Sequence, residues 1–152
     1  MATIGTAVLL ASGVALAETV TCDSTPPCYG TPEGDDITGT AGRETIYALG
    51  GNDRVHAGEG DDTIYGSSGD DRDLQGEGGS DTVYGGGGND SIMADQGDTA
   101  GTTDYSYGGG GQDTVYAVDA SVDIIDCGKG TDNVFYDQGL DTVKGCEHRF
   151  PT

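Results

Sequence analysis

The sequence predicts an all-β solenoid of stacked coils. A nine-residue pattern, with glycines first, an acid sixth and an aliphatic residue eighth, recurs over residues 30–144. The pattern is clearest in GEGGSDTVY, GGGGNDSIM and GGGGQDTVY, which begin at positions 76, 85 and 108. Glycine accounts for 29 of the 152 residues, and the formal net charge is −21. A fixed short period indicates a repeat architecture, and the charge makes nucleic acid and anionic membrane surfaces poor partners.

Each nine-residue unit predicts a tight turn followed by a short strand. Glycine tolerates the backbone angles of such turns, and the eighth residue is the strand side chain that points inward. Two units then form one coil, and about six coils of 18 residues form two parallel sheets around a narrow core. That core buries too little surface to fold so glycine-rich a chain unaided. The eighth-place residues are Ile37, Ile46, Val55, Ile64, Leu74, Val83, Ile92, Ser106, Val115, Ile125, Val134 and Val143.

The register is irregular at two places. The unit that begins at Gly66 has one extra residue, which brings Leu74 into the aliphatic column. Residues 94–107 contain an insertion, which puts Ser106 into that column. Asp104 is the sixth-place acid of this unit in the favoured register, and Asp98 is the competing candidate.

The sixth-place acids carry the functional prediction. Residues one coil apart stack about 4.8 Å from each other, and carboxylates at that spacing repel unless a cation lies between them. Calcium fits because it takes 6–8 oxygen ligands in flexible geometry, which carboxylates and turn carbonyls can supply. The first predicted column is Asp35, Asp53, Asp71, Asp90, Asp113 and Asp132, and the second is Glu44, Asp62, Asp81, Asp104, Asp123 and Asp141.

GGGGNDSIM and GGGGQDTVY resemble the RTX, or hemolysin-type, calcium-binding nonapeptide G-G-x-G-x-D-x-U-x. This resemblance covers approximately residues 30–144. It implies a parallel β-roll, a right-handed β-helical solenoid, that holds several calcium ions between consecutive turns. The twelve acids above would be the carboxylate ligands, with the Glu44 gap weaker because Glu replaces Asp. We expect a monomer whose folding is coupled to calcium.

The two ends of the chain predict secretion and caps. Residues 1–17 are apolar and end in an A-x-A pattern, which favours a secretory signal peptide over a buried N-terminal strand or helix. Residues 18–29 contain Cys22 and Cys28, which predict a disulfide in a secreted chain. We therefore expect an extracellular protein with a disulfide-bonded N-terminal cap.

The C-terminal segment CGKGTDNVFYDQGLDTVKGCE resembles the terminal cap of small secreted actinobacterial proteins of this type. Stacked coils would bring Cys127 and Cys146 within disulfide reach, and a disulfide there would pin the last coil. Residues 145–152 would complete this cap. Solenoids need such caps because their end strands expose sheet edges.

Other functions have weaker support. Acids near Asp71 lack the bidentate Glu and the flanking helices of an EF-hand. A hydrolase is disfavoured because His56 and His148 are the only histidines and no catalytic motif accompanies them; we expect no enzyme. The second candidate is an adhesion or ligand-binding module for glycan or ice, which would use an outward face in the second set of units. That face comprises Thr45, Tyr47, Thr63, Tyr65, Thr82 and Tyr84.

Overall fold

The computed structural model of the protein describes residues 3–4, 17–23, 27–94 and 101–152. In this part the chain is all-β, and its strands form two sheets. The first sheet contains, in spatial order, β1 (Thr3–Ile4), β2 (Thr19–Thr21), β4 (Asp36–Thr40), β6 (Arg54–Glu59), β8 (Leu74–Gly78), β10 (Ser91–Met93), β12 (Thr114–Ala117), β14 (Asn133–Tyr136) and β16 (His148–Pro151). The second sheet contains β3 (Cys28–Tyr29), β5 (Thr45–Tyr47), β7 (Thr63–Ser68), β9 (Thr82–Gly87), β11 (Tyr105–Gly111), β13 (Ile124–Gly130) and β15 (Thr142–Lys144).

From β2 onward, consecutive strands alternate between the sheets, so a strand from each sheet makes one coil. The strands within each sheet are parallel, except that β1 runs antiparallel to β2. This is the predicted parallel β-roll. The 7-stranded second sheet corresponds to about seven coils, against about six predicted, because segments outside the repeats also join the sheets.

Both ends of the roll are tied by disulfides, as predicted. Cys22 and Cys28 are bonded with their Cα atoms 5.5 Å apart, and β2 and β3 on either side of this bond extend the two sheets. Cys127 and Cys146 are bonded with their Cα atoms 5.1 Å apart. The C-terminal tail adds β16 beside β14. The caps are therefore continuous with the roll.

The extra residue in the fifth unit is absorbed by a local bulge. The Arg72 N–H donates to the carbonyl oxygen of Asp53, and the carbonyl oxygen of Asp73 accepts the N–H of Val55. Asp73 also has a positive φ of 52°. Leu74 therefore pairs in register with Val55, as predicted.

The insertion in residues 94–107 also leaves the register intact. Ser106 pairs with Val83 on one side and Ile125 on the other, so it occupies the aliphatic column as predicted. Its hydroxyl is buried with no hydrogen-bond partner in the described chain. Asp98 lies outside the described residues.

The core is wider than the sequence analysis predicted. Besides the eighth-place aliphatics, first-place side chains also point inward, because most strands run beyond three residues, as in Arg54–Glu59. The fully buried first-place residues are Ala48, Ala57, Ala117 and Cys127. Two inward columns per sheet, rather than one, therefore fill the roll.

The signal-peptide prediction concerns residues 1–17, most of which lie outside the described part, so it stays a prediction. Among the described residues, no helix has the length and hydropathy needed to cross a bilayer.

Candidate metal-binding turns

Fourth-place glycines allow the turns of successive coils to stack closely. Gly51, Gly69 and Gly88 follow one another along one edge, with φ of 105°, 128° and 130°. A Cβ on Gly88 would collide with the carbonyl oxygen of Gly69, and one on Gly69 would collide with that of Gly51. Glycine is thus required both for the left-handed conformation and for the close approach. Backbone carbonyl oxygens therefore follow the edge at the spacing of the coils.

The sixth-place acids lie in two columns, one at each edge of the roll. Asp53 N–H donates to Asp71 Oδ1 over 2.9 Å, and Asp71 N–H donates to Asp90 Oδ1 over 2.9 Å. At the other edge, Asp62 N–H donates to Asp81 Oδ1 over 2.8 Å. The same bond joins the other neighbours, so the columns are Asp35, Asp53, Asp71, Asp90, Asp113 and Asp132, and Glu44, Asp62, Asp81, Asp104, Asp123 and Asp141. All twelve acids occupy the columns predicted for them.

The second oxygen of several of these carboxylates has no protein partner. Within the described residues, Oδ2 is buried without a hydrogen bond in Asp53, Asp62, Asp71, Asp90, Asp113 and Asp132. In three of these turns a Cβ on the unit's first glycine would crowd that oxygen: one on Gly66 would collide with it, and one on Gly85 or Gly108 would lie 2.5 Å or 2.6 Å from it. The oxygen thus faces a space that glycine leaves open. A buried carboxylate oxygen without a partner is costly, and a cation would satisfy it.

Burial raises the pKa of several column carboxyls. It raises the pKa of Asp53 to about 7 and the pKa values of Asp62, Asp90 and Asp113 to about 6. The N–H bond from the preceding coil acts against this rise, whereas neighbouring carboxylates add to it. Without a cation, burial and repulsion between neighbouring carboxylates therefore disfavour the ionised form of these side chains.

The two most N-terminal acids differ from the others because threonines of their own turns bond to them. Asp35 Oδ2 accepts the Thr31 N–H at 2.6 Å and the Thr31 hydroxyl at 3.0 Å. Glu44 Oε2 accepts the Thr40 N–H at 3.0 Å, and the Thr40 hydroxyl donates to Oε1. These carboxylates are satisfied by protein groups. In the sequence, the Glu at position 44 signals this difference, whereas nothing distinguishes Asp35 from the other sixth-place aspartates.

The first column continues past its predicted C-terminal member. Asp132 N–H donates to Glu147 Oε2 over 3.0 Å, so Glu147 occupies the next position. In the second column Asp141 is only partly buried, and its Oδ2 accepts the Asp137 N–H at 2.7 Å. Sequence reasoning missed Glu147 because it lies outside the nine-residue register.

A second ladder of side chains flanks the first column at the fifth place, and it was also missed. Asn52 Oδ1 accepts the Asp70 N–H at 3.1 Å, and Asp70 Oδ1 accepts the Asn89 N–H at 2.7 Å. Asn89 Oδ1 in turn accepts the Gln112 N–H at 2.8 Å. These exposed side chains link the turns of successive coils. The recurrence of Asn and Asp at the fifth place was the available signal.

The acids are arranged in rows rather than in compact clusters. Across the described residues, no group of three or more His, Cys, Asp or Glu side chains could hold a metal ion among themselves. A cation between two turns would take one carboxylate from each coil, and backbone carbonyls would complete its shell. Such an all-oxygen, partly carbonyl donor set suits calcium, whereas zinc prefers Cys and His.

The predicted Thr and Tyr positions also come together, on the outer face of the second sheet. Thr63 pairs with Thr45 and Thr82, and Tyr65 stacks on Tyr47 and Tyr84. Two further tyrosines extend the stack, which comprises Tyr29, Tyr47, Tyr65, Tyr84 and Tyr107. The first sheet carries a shorter stack of Tyr116, Phe135 and Phe150.

The fold and its turns together define a repeat protein of the β-roll class with carboxylate columns at its edges. The family model for the RTX calcium-binding nonapeptide repeat, in 4 copies, matches residues 38–72, 73–99 and 101–117, just over half of the chain. The chain belongs to this family, and its fold is a calcium-binding β-roll. No curated protein and no solved structure matches it.

Proposed function

We propose that the protein is an extracellular, multi-site calcium-binding β-roll whose folding is coupled to calcium. The supporting observation is the buried, unpartnered Oδ2 that recurs along the first column, as in Asp53 and Asp71, and is present at Asp62 in the second column. Each of these three carboxylates accepts the N–H of the preceding coil with Oδ1 and presents Oδ2 to the gap. A divalent cation in the gap supplies the missing partner.

Charge argues for several ions rather than one. The chain has a net charge of −21, and its columns bury carboxylates one above another. Bringing these charges together opposes compaction, and each bound calcium ion offsets two of them. The proposed ligands are the twelve column acids: Asp35, Asp53, Asp71, Asp90, Asp113, Asp132, Glu44, Asp62, Asp81, Asp104, Asp123 and Asp141.

Calcium binding then drives folding, because the gaps exist only when the coils are stacked. A ligand that binds the folded but not the unfolded chain stabilises the fold by mass action. Inside a cell, where free calcium is low, the chain would stay loosely folded, and it would fold after export. The apolar residues 1–17 and the two disulfides support this route.

A calcium titration followed by far-UV circular dichroism tests this function, with magnesium as the control ion. We expect a cooperative gain of β-structure with calcium and a much smaller response to magnesium, which demands stricter octahedral geometry. Equal folding in chelator would refute the coupling. An equal response to magnesium would refute the ion assignment.

The stacked tyrosines favour a second candidate, an adhesion or ligand-binding module that uses the Thr/Tyr face for glycan or ice. Tyr47, Tyr65 and Tyr84 repeat at 4.8 Å and 4.9 Å, which makes a regular surface. Glycan or ice binding by the calcium-loaded chain should then be lost in Tyr65→Ala and Tyr84→Ala. Retention of binding in both variants would exclude this face.

A further inference from the structure

The outer face of the second sheet contains a straight trough between two columns of side chains. Thr45, Thr63 and Thr82 form one wall, and Tyr47, Tyr65 and Tyr84 form the other. Within each strand the Thr and the Tyr are two residues apart, so the walls are separated by about 6.6 Å. The floor between them is strand backbone, because the intervening residue points into the core. The trough therefore runs along the axis of the roll.

The ends of the trough differ. At the next coil Tyr105 takes the position of the threonines, pairing in register with Thr82, so a larger side chain closes that end. At the other end the tyrosine wall continues to Tyr29, which is 53% exposed. From Tyr29 to Tyr107 the wall spans roughly 19 Å, four strand spacings.

The orientation of the rings limits what this face can bind. Tyr65 and Tyr84 have interplanar angles of 5° and 3° to the preceding ring, with centroids 4.8 Å and 4.9 Å apart. Each ring face is therefore covered by the next ring, and the wall presents ring edges and hydroxyls. Within the described stack, a sugar that stacks on an aromatic face finds a ring face not covered by another ring only at the two ends, Tyr29 and Tyr107. A ligand that runs along the trough contacts several ring edges at once.

We infer that this trough binds a planar, elongated aromatic molecule, neutral or cationic, which lies along the roll axis. Flat ring systems fill a narrow channel of this shape, and edge-to-face contacts with tyrosine favour aromatic over aliphatic ligands. The net charge of −21 favours a cation over an anion. This inference rests on the proposed function in one respect, namely that the trough exists only in the folded roll.

Thioflavin T, a planar aromatic cation, is a suitable probe for the full chain in calcium. We expect saturable fluorescence enhancement, with binding about three- to tenfold weaker in Tyr65→Val, because one aromatic contact in the wall is lost. Thr63→Tyr should block the trough in the way that Tyr105 does, and abolish binding. The matched controls lie on the opposite sheet, Phe135→Val for the ring deletion and Thr114→Tyr for the blocking change, and neither should alter binding.

Far-UV circular dichroism of every variant separates loss of the trough from loss of the fold. The dye is titrated into the folded chain, under whichever calcium condition gives it. A chain that folds without calcium would refute the coupling of folding to calcium, but dye binding to that chain would still test the trough. Absence of saturable binding to the folded chain would overturn the inference. Equal loss of binding in the Phe135→Val control, or retention in folded Thr63→Tyr, would overturn it as well.

Discussion

Replacing Asp53 by Asn should stabilise the calcium-free chain and destabilise the calcium-loaded chain. Burial raises the pKa of Asp53 from 3.8 to about 7, so the folded chain disfavours the charged form. A difference of about three pKa units corresponds to about 4 kcal/mol once the carboxyl is ionised in both states. The amide keeps the Oδ1 acceptor for Asp35 N–H, but it leaves a buried N–H group unpaired at about 1–3 kcal/mol. The expected net gain without calcium is therefore about 1–3 kcal/mol at pH 8.

Calcium reverses the sign of this effect. Asp53 borders two gaps, one towards Asp35 and one towards Asp71. An occupied site contributes about 2.7 kcal/mol when free calcium is 100 times its dissociation constant. Weakening both sites should outweigh the gain described above and leave a net loss of about 2 kcal/mol or more.

The assay is far-UV circular dichroism, with trimethylamine N-oxide titrated in EDTA to fold the calcium-free chain, and with calcium titrated in its absence. Asp70→Asn is the matched control, because it removes the same charge from the exposed fifth place, where neighbouring coils already carry Asn52 and Asn89. It should change neither titration appreciably. The reasoning fails if Asp53→Asn shifts both titrations in the same direction, or if Asp70→Asn reproduces its effect.

Three further predictions concern pH, the C-terminal cap and the turns. Without calcium, stability should fall as pH rises from about 4 to about 7, because the folded chain binds protons more tightly there; with calcium, stability should fall on acidification, because protons displace the ion. Circular dichroism across this pH range, in EDTA and in calcium, measures both dependences, and stability profiles that run parallel in the two conditions would contradict the prediction. Replacing Cys127 and Cys146 together by Ala should lower the free energy of unfolding by about 3 kcal/mol, measured by urea unfolding in saturating calcium. An unchanged urea midpoint would show that the disulfide does not stabilise the cap. Gly88→Ala should strongly raise the calcium concentration at the midpoint of folding, because Gly88 has a φ of 130° and a Cβ there would collide with the Gly69 carbonyl oxygen. Gly87→Ala should leave this midpoint unchanged, because a Cβ at Gly87 would meet no atom within 4 Å.

The sequence was sufficient to predict the register because the period links each residue to a single place in the coil. The sixth-place acid and the eighth-place aliphatic are the two most regular features, and the structure stacks both as predicted. Even Leu74 and Ser106, which follow irregular units, lie in line. The hydrophobic column fixes the register, because a shift by one residue would turn a whole strand inside out.

Features that depend on side chains meeting across coils could not be predicted in the same way. The bonds of Thr31 to Asp35 and of Thr40 to Glu44 need the turn geometry, since threonine at the second place has no fixed partner in the sequence. Glu147 reaches the first column from outside the repeat. The width of the core was underestimated because alanine and glycine at the first place carry little hydrophobic signal.

The two oxygens of a column carboxylate have different roles, and this difference explains how one residue type can serve both fold and function. In Asp71, Oδ1 accepts the Asp53 N–H and sets the spacing of the coils, whereas Oδ2 is left for the gap. At the N-terminal end, threonine hydroxyls and N–H groups bond to Asp35 and Glu44 instead. The first turns can therefore form from protein groups alone, whereas Asp53, Asp62 and Asp71 each keep an Oδ2 atom without a protein partner among the described residues. Under the proposed calcium coupling, the dependence on calcium would belong to the interior of the roll, and the disulfide-bonded first coil would provide a preformed edge on which the calcium-dependent coils stack.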